Sequence, residues 1–390
     1  MKSGITIGKK NKREQGQPKL NTQPDIFVFT GERSGDLLGA KILKPLKDLK
    51  IQGSLGPELS KLGYEKLFAM EDFQSIGIGL ILTSLPKLLR LFYKVKKTIL
   101  QNNPKVVILI DFVEFNLLMA KSLKKAGFQG KIIQVVCPTI WAWRKGRKKT
   151  LEKYFDLLLT IFPFEEKLFD NSPLKAQYIG HPIVDELSNL VQTTNLSFPE
   201  GKKVIALFPG SRKKEIQNIL KLYLDALCPF TNCEIAISVT GEQQLREIQK
   251  IVNKSKLNVH YVSYENRYEL MQKADLAIAK LGTVNLELAY FQVPSIIATP
   301  LPAFEQYLFQ YLFKIFLPHY SLVNLIAKRR IFPEFIAFFA TCQNLQGEIK
   351  NFLSDSTAKN WCVNGCKEVK DILSNPTKKG LASKLILDLL

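Results

Sequence analysis

The chain has few of the residues that build disulfide frameworks or metal clusters. It contains 6 cysteines and 3 histidines among 390 residues. Cysteines so sparse and scattered are not typical of a disulfide framework. Cys362 and Cys366 are close enough in sequence to share a helix face, but no second Cys or His pair accompanies them. Packing is therefore favoured over a metal site.

The sequence also shows neither the pattern of a membrane-spanning helix nor that of a signal peptide. No apolar stretch reaches the roughly 18 uncharged residues that a membrane helix needs. The first 20 residues hold six Lys or Arg and one Glu, without the apolar core of a signal peptide. We therefore expect a disordered basic tail over residues 1–23 and a cytoplasmic protein.

Acidic residues are in deficit, which leaves the chain strongly basic. There are 55 Lys and Arg against 35 Asp and Glu, a net charge of +20. Such a protein attracts nucleic acid, acidic membranes or phosphorylated substrates. The segment WAWRKGRKKTLEK (141–153) sets two Trp beside six basic residues, which could stack bases and grip phosphates. A solvated basic face is the plainer interpretation, and no RNA-binding signature is present, so a nucleic-acid partner is not expected.

Short apolar runs alternate with amphipathic segments along most of the chain. The predicted strands are residues 25–30, 105–111, 131–136, 155–162 and 176–180, then 204–208, 233–239, 259–262, 275–279 and 294–299. Such alternation predicts parallel sheets with helices on both faces. Because a polar stretch separates the two series, we expect an α/β protein with two doubly wound, Rossmann-like domains facing a cleft (the GT-B type), followed by C-terminal helices. The predicted divisions are residues 1–23 (tail), 24–190 (N-terminal domain), 191–345 (C-terminal domain) and 346–390 (helices packing back on the N-terminal domain).

Ligands of open parallel sheets bind beyond the carboxyl ends of the strands, so the residues after each apolar run are the candidates. In LFPGSRKKEI (207–216), Gly210 allows close backbone approach and Ser211 can cap a helix or bind a phosphate oxygen. Arg212 can grip a phosphate with two hydrogen bonds. The turn suits a pyrophosphate or nucleotide leaving group; a helix cap with a solvated arginine is the alternative.

A second strand end, in AKLGTVNLELA (279–289), has the same character. Gly282 and Thr283 begin a helix and could hold another phosphate oxygen. Glu287 lies one turn further on, where a carboxylate could accept both hydroxyls of a ribose. A helix-start glutamate stabilised by the helix dipole is the alternative.

Three further strand ends carry acids or a histidine. Asp111 ends the run VVILID and is a candidate general base, or else a helix cap. In GERSGD, Glu32, Ser34 and Asp36 could orient an acceptor hydroxyl, or the acids could simply cap a helix. His181 is more typical of a structural hydrogen-bonding residue than of a catalyst.

The segment SIGIGLILTSLPKLLRLFYKVKK (75–97) is rich in large aliphatic side chains and ends in basic ones. If exposed, it would form a membrane-seeking patch whose cations meet acidic headgroups. The residues of this predicted patch are Ile78, Leu80, Ile81, Leu82, Leu85, Leu88 and Leu89. Burial in the core is the alternative. The Phe-rich stretch 304–320 could form a dimer contact, a membrane contact or part of the core, and its sequence favours none of the three.

Ten motifs in order resemble the lipid-A-disaccharide synthase family of glycosyltransferases over about residues 25–345. They are GERSGDLLGA, GPELSKLGYEKLF, MEDFQSIGI, IDFVEFNLLMAKSLKKAG, CPTIWAWRKGR, LLLTIFPFEE, YIGHPIVDEL, LFPGSRKKEI, LGTVNLELA and SLVNLIAKRRIFPEFI. The resemblance implies an inverting, metal-free and cofactor-free transfer from UDP-2,3-diacylglucosamine to 2,3-diacylglucosamine 1-phosphate. The products would be a β-1,6-linked disaccharide 1-phosphate and UDP, made at the inner face of the cytoplasmic membrane.

The resemblance also implies roles for particular residues. Asp111 matches the proposed base for the acceptor's 6-hydroxyl, with Glu32, Ser34 and Asp36 as acceptor-site candidates. Arg212 matches the family's essential turn at the UDP phosphates and, with Asp111, is implied to be catalytic. Nucleotide binding is implied for Gly210, Ser211, Gly282, Thr283, Glu287 and Asn324. In this family the loop that carries the asparagine can come from a swapped partner subunit, which implies a homodimer. The aliphatic patch matches the family's membrane-contacting region, and this favours its exposure.

Three positions depart from the family pattern. Leu281 replaces a serine, Glu114 replaces an aspartate in a motif that also lacks its proline, and Val323 replaces a proline. These changes bear on substrate positioning more than on the reaction. Two functions of other classes stay as alternatives: a sugar-nucleotide epimerase of the same fold, and an RNA-binding module.

Overall fold

The computed structural model describes residues 23–74, 81–190, 195–302, 317–374, 378 and 380–390. These residues form two parallel sheets flanked by helices. The first sheet consists of β1 (Ile26–Thr30), β2 (Ile51–Leu55), β3 (Glu65–Ala69), β4 (Val106–Ile110), β5 (Lys131–Val135), β6 (Leu157–Thr160) and β7 (Lys175–Tyr178). The second consists of β8 (Lys203–Phe208), β9 (Cys233–Val239), β10 (Val259–Ser263), β11 (Leu276–Ala279), β12 (Ser295–Thr299) and β13 (Glu334–Ile336).

Helices connect these strands and follow the last of them. Those along the first sheet are α1 (Arg33–Leu43), α2 (Pro57–Ser60), α3 (Glu71–Gln74), α4 (Ile81–Asn102), α5 (Val113–Lys125), α6 (Arg147–Tyr154), α7 (Pro163–Glu166) and α8 (Pro182–Ser188). Those that follow are α9 (Lys213–Leu227), α10 (Glu242–Ser255), α11 (Arg267–Lys273), α12 (Val284–Tyr290), α13 (Leu322–Ala327), α14 (Cys342–Ser354), α15 (Ser356–Leu373) and α16 (Leu381–Leu387).

Both sheets are doubly wound. The strand orders are β3-β2-β1-β4-β5-β6-β7 and β10-β9-β8-β11-β12-β13, and neighbouring strands run parallel. The order therefore reverses between β1 and β4 in the first sheet and between β8 and β11 in the second. At such a switch point the connecting loops diverge and leave a crevice beyond the strand ends. The predicted α/β class with two Rossmann-like domains is confirmed.

Both faces of the first sheet are covered by apolar clusters. Alternate side chains of each strand point to opposite faces, so one strand contributes to both clusters. In β1, Phe27 and Phe29 belong to the cluster beneath α4 and α5. Ile26 and Val28 belong to the cluster beneath α1 and α16. A parallel strand buried on both faces is expected to be a continuous apolar run, and the sequence of β4, VVILI, fits this rule.

The C-terminal segment divides between the two domains. Helices α14 and α15 pack into the core of the second sheet through residues such as Leu345 and Val369. Helix α16 packs on the first sheet, where Ser383 Oγ donates a hydrogen bond of 2.7 Å to the carbonyl oxygen of Ile42. Cys362 and Cys366 are both buried in the core of the second sheet, so their role in the described structure is packing.

Only part of the predicted aliphatic patch can be located. Ile78 and Leu80 lie outside the described residues, and Ile81, Leu82 and Leu85 belong to helix α4, whose side chains are described only from residue 86 onward. Leu88 is half-buried against the core beneath α4, whereas Leu89 is 48% exposed. Among the described helices, none is both long enough and apolar enough to cross a bilayer. Residues 303–316 of the Phe-rich stretch also lie outside the described part of the chain.

Candidate functional site

Asp111 occupies the switch point of the first sheet, directly after β4. Its φ angle is +55° and that of Phe112 is +26°, in a region that residues other than glycine seldom adopt. Ser34, at the start of α1, donates a 2.9 Å hydrogen bond from Oγ to Asp111 Oδ2. Asn116 Nδ2 donates to the Asp111 carbonyl oxygen at 2.7 Å. The loops after β1 and β4 therefore hold one carboxylate in a fixed, strained turn, a feature that is common at functional sites.

Glu32 lies beside Asp111 at the same switch point. Partial burial raises the pKa of Glu32, and the negative charge of Asp111 raises it further. Both carboxyl groups line one cavity. A carboxylate pair in which one member keeps its proton more readily can divide acid and base roles, and this pairing suits proton transfer to or from a sugar hydroxyl.

The cavity next to Asp111 has a volume of about 680 Å³ and is mostly apolar. Its walls come from α4 and α5, and Lys121, Ser122 and Lys125 complete the α5 side. The apolar residues that line it are Leu88, Leu89, Phe92, Tyr93, Phe112, Val113, Phe115 and Leu118. A space with carboxylates at one end and aliphatic and aromatic walls elsewhere fits a ligand with a polar head and a hydrocarbon part.

Asp36 does not join this cavity, which corrects its prediction as an acceptor-site residue. Its side chain is fully buried. The carboxylate accepts hydrogen bonds from the backbone N–H groups of Gly56 (2.9 Å), Glu58 (2.7 Å) and Leu59 (3.3 Å). Asp36 therefore caps the start of α2 from a neighbouring helix, because the first N–H groups of a helix have no partners within it.

A second cavity, of about 250 Å³, lies at the switch point of the second sheet. Its lining residues come from the ends of β8, β9, β10 and β11 and from α11 and α12. They are Phe208, Pro209, Gly210, Ser211, Ser238, Thr240, Tyr264, Arg267, Lys280, Gly282, Thr283, Val284 and Glu287. The structure thus brings together five of the residues predicted for nucleotide binding: Gly210, Ser211, Gly282, Thr283 and Glu287.

Cationic groups surround the Gly210 turn. Lys280 Nζ forms a 2.8 Å ion pair with Glu215 Oε1, and Arg212 approaches the same oxygen at 3.7 Å. The side chain of Arg212 is 72% exposed at the N-cap of α9, so it is free to reach an anion at this turn. Lys280 is a site residue that the sequence reasoning missed, although its place directly after a predicted strand was a usable signal.

The other end of the second cavity is built around Arg267. Its guanidinium carbon lies 3.8 Å from the ring centres of both Tyr264 and Tyr268. Tyr268 Oη donates a 3.3 Å hydrogen bond to Glu287 Oε1, and Arg267 approaches the same oxygen at 3.8 Å. Burial raises the pKa of Glu287, and the charge of Arg267 opposes that shift. Tyr264 and Arg267 were also missed. Tyr264 closely follows the predicted strand 259–262, which was a usable signal, whereas nothing in the local sequence marks Arg267.

Asn324 does not line this cavity, and its predicted nucleotide contact, which the resemblance implies can come from a swapped partner subunit, stays a prediction. Its side chain is completely buried. Nδ2 donates to the carbonyl oxygen of Phe332 at 2.8 Å, while Oδ1 accepts from the N–H groups of Ile331 (2.8 Å) and Phe332 (2.9 Å). These three hydrogen bonds to the amide group fix the turn before β13.

His181 serves as a helix cap, the structural alternative of the sequence analysis. Its Nδ1 accepts a 3.1 Å hydrogen bond from the N–H of Ile183, and its ring lies 5.0 Å from that of Phe162. Burial lowers the pKa of His181 to about 4, so the ring is neutral near pH 7. Across the parts of the chain that the structure describes, no three His, Cys, Asp or Glu side chains are grouped as metal ligands.

We expect Glu165 to make stability depend on pH. The residue is 1% exposed, its carboxylate accepts a 3.3 Å bond from the N–H of Phe162, and burial raises its pKa to about 8. An unfolded chain releases this proton near pH 4.3, so the folded state holds it across the window between about 4 and 8. Stability is therefore lost as pH rises through that window. From about pH 7 to pH 8, urea unfolding should show the free energy of unfolding falling by about 1 kcal/mol. Glu165→Gln should remove this loss, and an unchanged pH dependence in the variant would contradict the assignment.

Comparisons with known proteins agree with this architecture. A family model described as lipid-A-disaccharide synthetase matches residues 26–383. A lipid-A-disaccharide synthase of Chlamydia pneumoniae is 39% identical over 339 residues, which cover 83% of this chain and 55% of that protein. One of Syntrophotalea carbinolica is 32% identical over 344 residues, which cover 85% of this chain and 86% of that protein. The chain spans about half the length of the chlamydial relatives it matches.

Solved structures show the same fold at low sequence identity. A UDP-GlcNAc 2-epimerase from Neisseria meningitidis, bound to UDP-GlcNAc, superposes with a TM-score of 0.60 at 12% identity, covering 93% of this chain and 98% of that one. CalG4, the calicheamicin glycosyltransferase, gives a TM-score of 0.55 at 12% identity, covering 94% and 98%. Because epimerases and transferases share the fold at this identity, the likeness concerns architecture alone.

Proposed function

The chain belongs to the lipid-A-disaccharide synthetase family, and from that premise we propose that it transfers diacylglucosamine from UDP to diacylglucosamine 1-phosphate. The products are a β-1,6-linked disaccharide 1-phosphate and UDP. The observation that carries the proposal is the pairing of two different cavities at two switch points. One offers a carboxylate beside apolar walls for an acylated acceptor, and the other offers polar and cationic groups for a nucleotide.

The first chemical step is proton removal from the acceptor. The 6-hydroxyl lies against Asp111, whose carboxylate takes the proton as the oxygen attacks the anomeric carbon of the donor. Ser34 supports this role because its hydrogen bond to Oδ2 holds the carboxylate in a fixed orientation. A bond forms between the acceptor oxygen and the anomeric carbon, and the bond from that carbon to the UDP oxygen breaks.

The second requirement is to stabilise the departing diphosphate. Negative charge grows on its oxygens as the bond to the sugar breaks. Arg212 and Lys280 supply positive charge around the Gly210 turn, and Ser211 supplies a hydroxyl. Groups fixed in place before the reaction stabilise such charge without reorganising. Glu287, which lines the same cavity as Tyr264, accepts hydrogen bonds from the ribose hydroxyls.

We further propose that the protein acts as a peripheral protein on an acidic membrane surface. The net charge of +20 favours approach to anionic lipid. Three lining residues of the first cavity are well exposed: Leu89 (48%), Tyr93 (64%) and Leu118 (58%). An apolar cavity with an apolar, exposed rim allows acyl chains to pass from the bilayer into the protein. The swapped homodimer implied by the resemblance stays a prediction.

Gly210→Ala should weaken UDP binding. The residue has a φ of +102°, and an added Cβ would lie 2.6 Å from Lys280 Cδ and 2.7 Å from Glu215 Oε2. The substitution would therefore displace the lysine that faces the diphosphate, and we expect the Kd of UDP, measured by calorimetry, to rise about tenfold or more. Gly201→Ala is the matched control, because it has a φ of +77° with nothing within 4 Å of the added carbon. Equal UDP affinity in the two variants would contradict this placement of the phosphates.

The proposed activity is tested by supplying UDP-diacylglucosamine with and without the lipid monosaccharide phosphate. UDP and a lipid disaccharide should appear together, in equal amounts, only when both substrates are present. The control donor is UDP-N-acetylglucosamine, which an epimerase would convert without any acceptor. Conversion of that donor alone, with no disaccharide from the lipid pair, would contradict the proposal.

A further inference from the structure

The basic segment after β5 has no part in the function proposed so far, yet it reaches the acceptor cavity. Arg144 and Arg147 both donate hydrogen bonds to Glu114 Oε1. Glu114 lies in the first turn of α5, three residues after Asp111, and both acids line the 680 Å³ cavity. Two guanidinium groups are therefore held at the rim of the space that contains the proposed base.

These two arginines are fixed more firmly than surface arginines usually are. Their guanidinium carbons lie 4.4 Å (Arg144) and 5.1 Å (Arg147) from the ring centre of Trp143. The indole N–H of Trp143 in turn donates a 2.9 Å hydrogen bond to Thr139 Oγ1. Arg144 has a φ of +50°, and the side chain of Arg147 is only 12% exposed. Side chains held in place before binding lose little entropy when a ligand arrives.

The charges and donors of this cluster suit an anion. Two guanidinium groups share a single carboxylate, so Arg144, Arg147 and Glu114 together carry a net charge of +1. Each guanidinium has five N–H donors, and the bonds to Glu114 leave several of them available. Paired N–H groups of this kind match the oxygens of a phosphate. Glu114 is itself 59% exposed, so its carboxylate orients the two arginine side chains rather than burying them.

We propose that Arg144 and Arg147 bind the phosphomonoester at the anomeric end of the acceptor sugar. The acceptor then has three anchors in one cavity: its hydroxyl at Asp111, its acyl chains along α4 and α5, and its phosphate at the arginine pair. The arginines thereby select a phosphorylated sugar over an unphosphorylated one. This assignment rests on the proposed transfer and adds to it the residues that choose the acceptor.

The test compares two acceptors, diacylglucosamine 1-phosphate and the same lipid without phosphate. For Arg147→Ala, the KM of the phosphorylated acceptor should rise by about 10- to 100-fold, as expected for the loss of charge-assisted hydrogen bonds. The KM of the unphosphorylated acceptor and that of the donor should change less than about threefold. Lys149→Ala is the matched control, since it removes one exposed cation from the same helix without touching Trp143.

Thermal melting identifies a variant that fails to fold. In that case Arg144→Ala is the deciding variant, because the Arg144 side chain is 53% exposed whereas that of Arg147 is 12% exposed. Equal rises in KM for both acceptors would overturn the proposal. So would weaker binding to anionic phospholipid vesicles with an unchanged preference for the phosphorylated acceptor, which would assign the arginines to membrane phosphates. Absence of transfer by the unaltered protein with either acceptor would overturn the proposed function itself, and this assignment with it.

Discussion

Asp111→Asn is expected to lower kcat for disaccharide formation by about 10²- to 10⁴-fold, the usual contribution of a positioned general base. The amide cannot take the proton of the acceptor hydroxyl. It can still accept the hydrogen bond from Ser34, so the loop geometry should survive. The measurement is the initial rate of UDP release at saturating donor and acceptor, together with the Kd of UDP. That Kd should be unchanged because the proposed nucleotide site lies at the other sheet.

Asp48→Asn is the control for this variant. It makes the same chemical change at an exposed position of the same domain and should leave kcat unaltered. Near-normal turnover in Asp111→Asn would remove Asp111 from the chemistry. Loss of UDP binding alongside loss of turnover would show instead that the substitution disturbs the whole site.

Arg212→Ala should lower kcat by about 10²- to 10³-fold, which corresponds to about 3–4 kcal/mol of transition-state stabilisation. The physical reason is that charge on the departing diphosphate grows during bond cleavage, so a guanidinium beside it is worth more in the transition state than in the ground state. Since the side chain is 72% exposed and its nearest ionic partner, Glu215, is 3.7 Å away, its removal should not alter the melting temperature.

Arg246→Ala is the matched control on the same domain, because that side chain is 76% exposed and pairs only loosely with Glu242 at 4.0 Å. Its kcat should equal that of the unaltered protein. An Arg212→Ala variant with normal kcat would leave Lys280 as the cation that meets the leaving group. Lys280→Ala, measured in the same way, would then carry the large effect.

The strands that the sequence predicted best are those buried on both faces. Their apolar runs are continuous, as in β4 and β8, so they stand out from the helices around them. Strand β2, Ile51–Leu55, was missed although it is fully buried, because three of its five residues are polar or glycine. Ser54 exchanges two 3.0 Å hydrogen bonds with Thr30 on β1, and these partners are invisible to a local pattern. The edge strands β3 and β13 were missed for a different reason, since both are only partly buried and β13 has just three residues.

The candidate site was predicted only in part for the same reason: a local sequence pattern does not reveal partners that come from elsewhere in the chain. Gly210, Ser211 and Glu287 were predicted because they follow strand ends, and parallel strands bring their carboxyl ends to one edge. Arg267 enters that site from a helix whose local sequence carries no signal, so only the folded chain reveals it. Asp36 was misplaced for the opposite reason. A polar residue in a motif looks functional until its hydrogen bonds are found to be used within the core.

The central claim is a single displacement in which an acceptor hydroxyl, deprotonated by Asp111, expels UDP from the opposite side of the anomeric carbon. The most direct test is the anomeric configuration of the disaccharide, read from the proton coupling constant by nuclear magnetic resonance after reaction with an α-linked UDP-diacylglucosamine. The account predicts a β-1,6 linkage formed with one UDP released per linkage. An α-linked product would contradict it, because retention of configuration requires a different reaction path from the one that Asp111 and Arg212 are proposed to support.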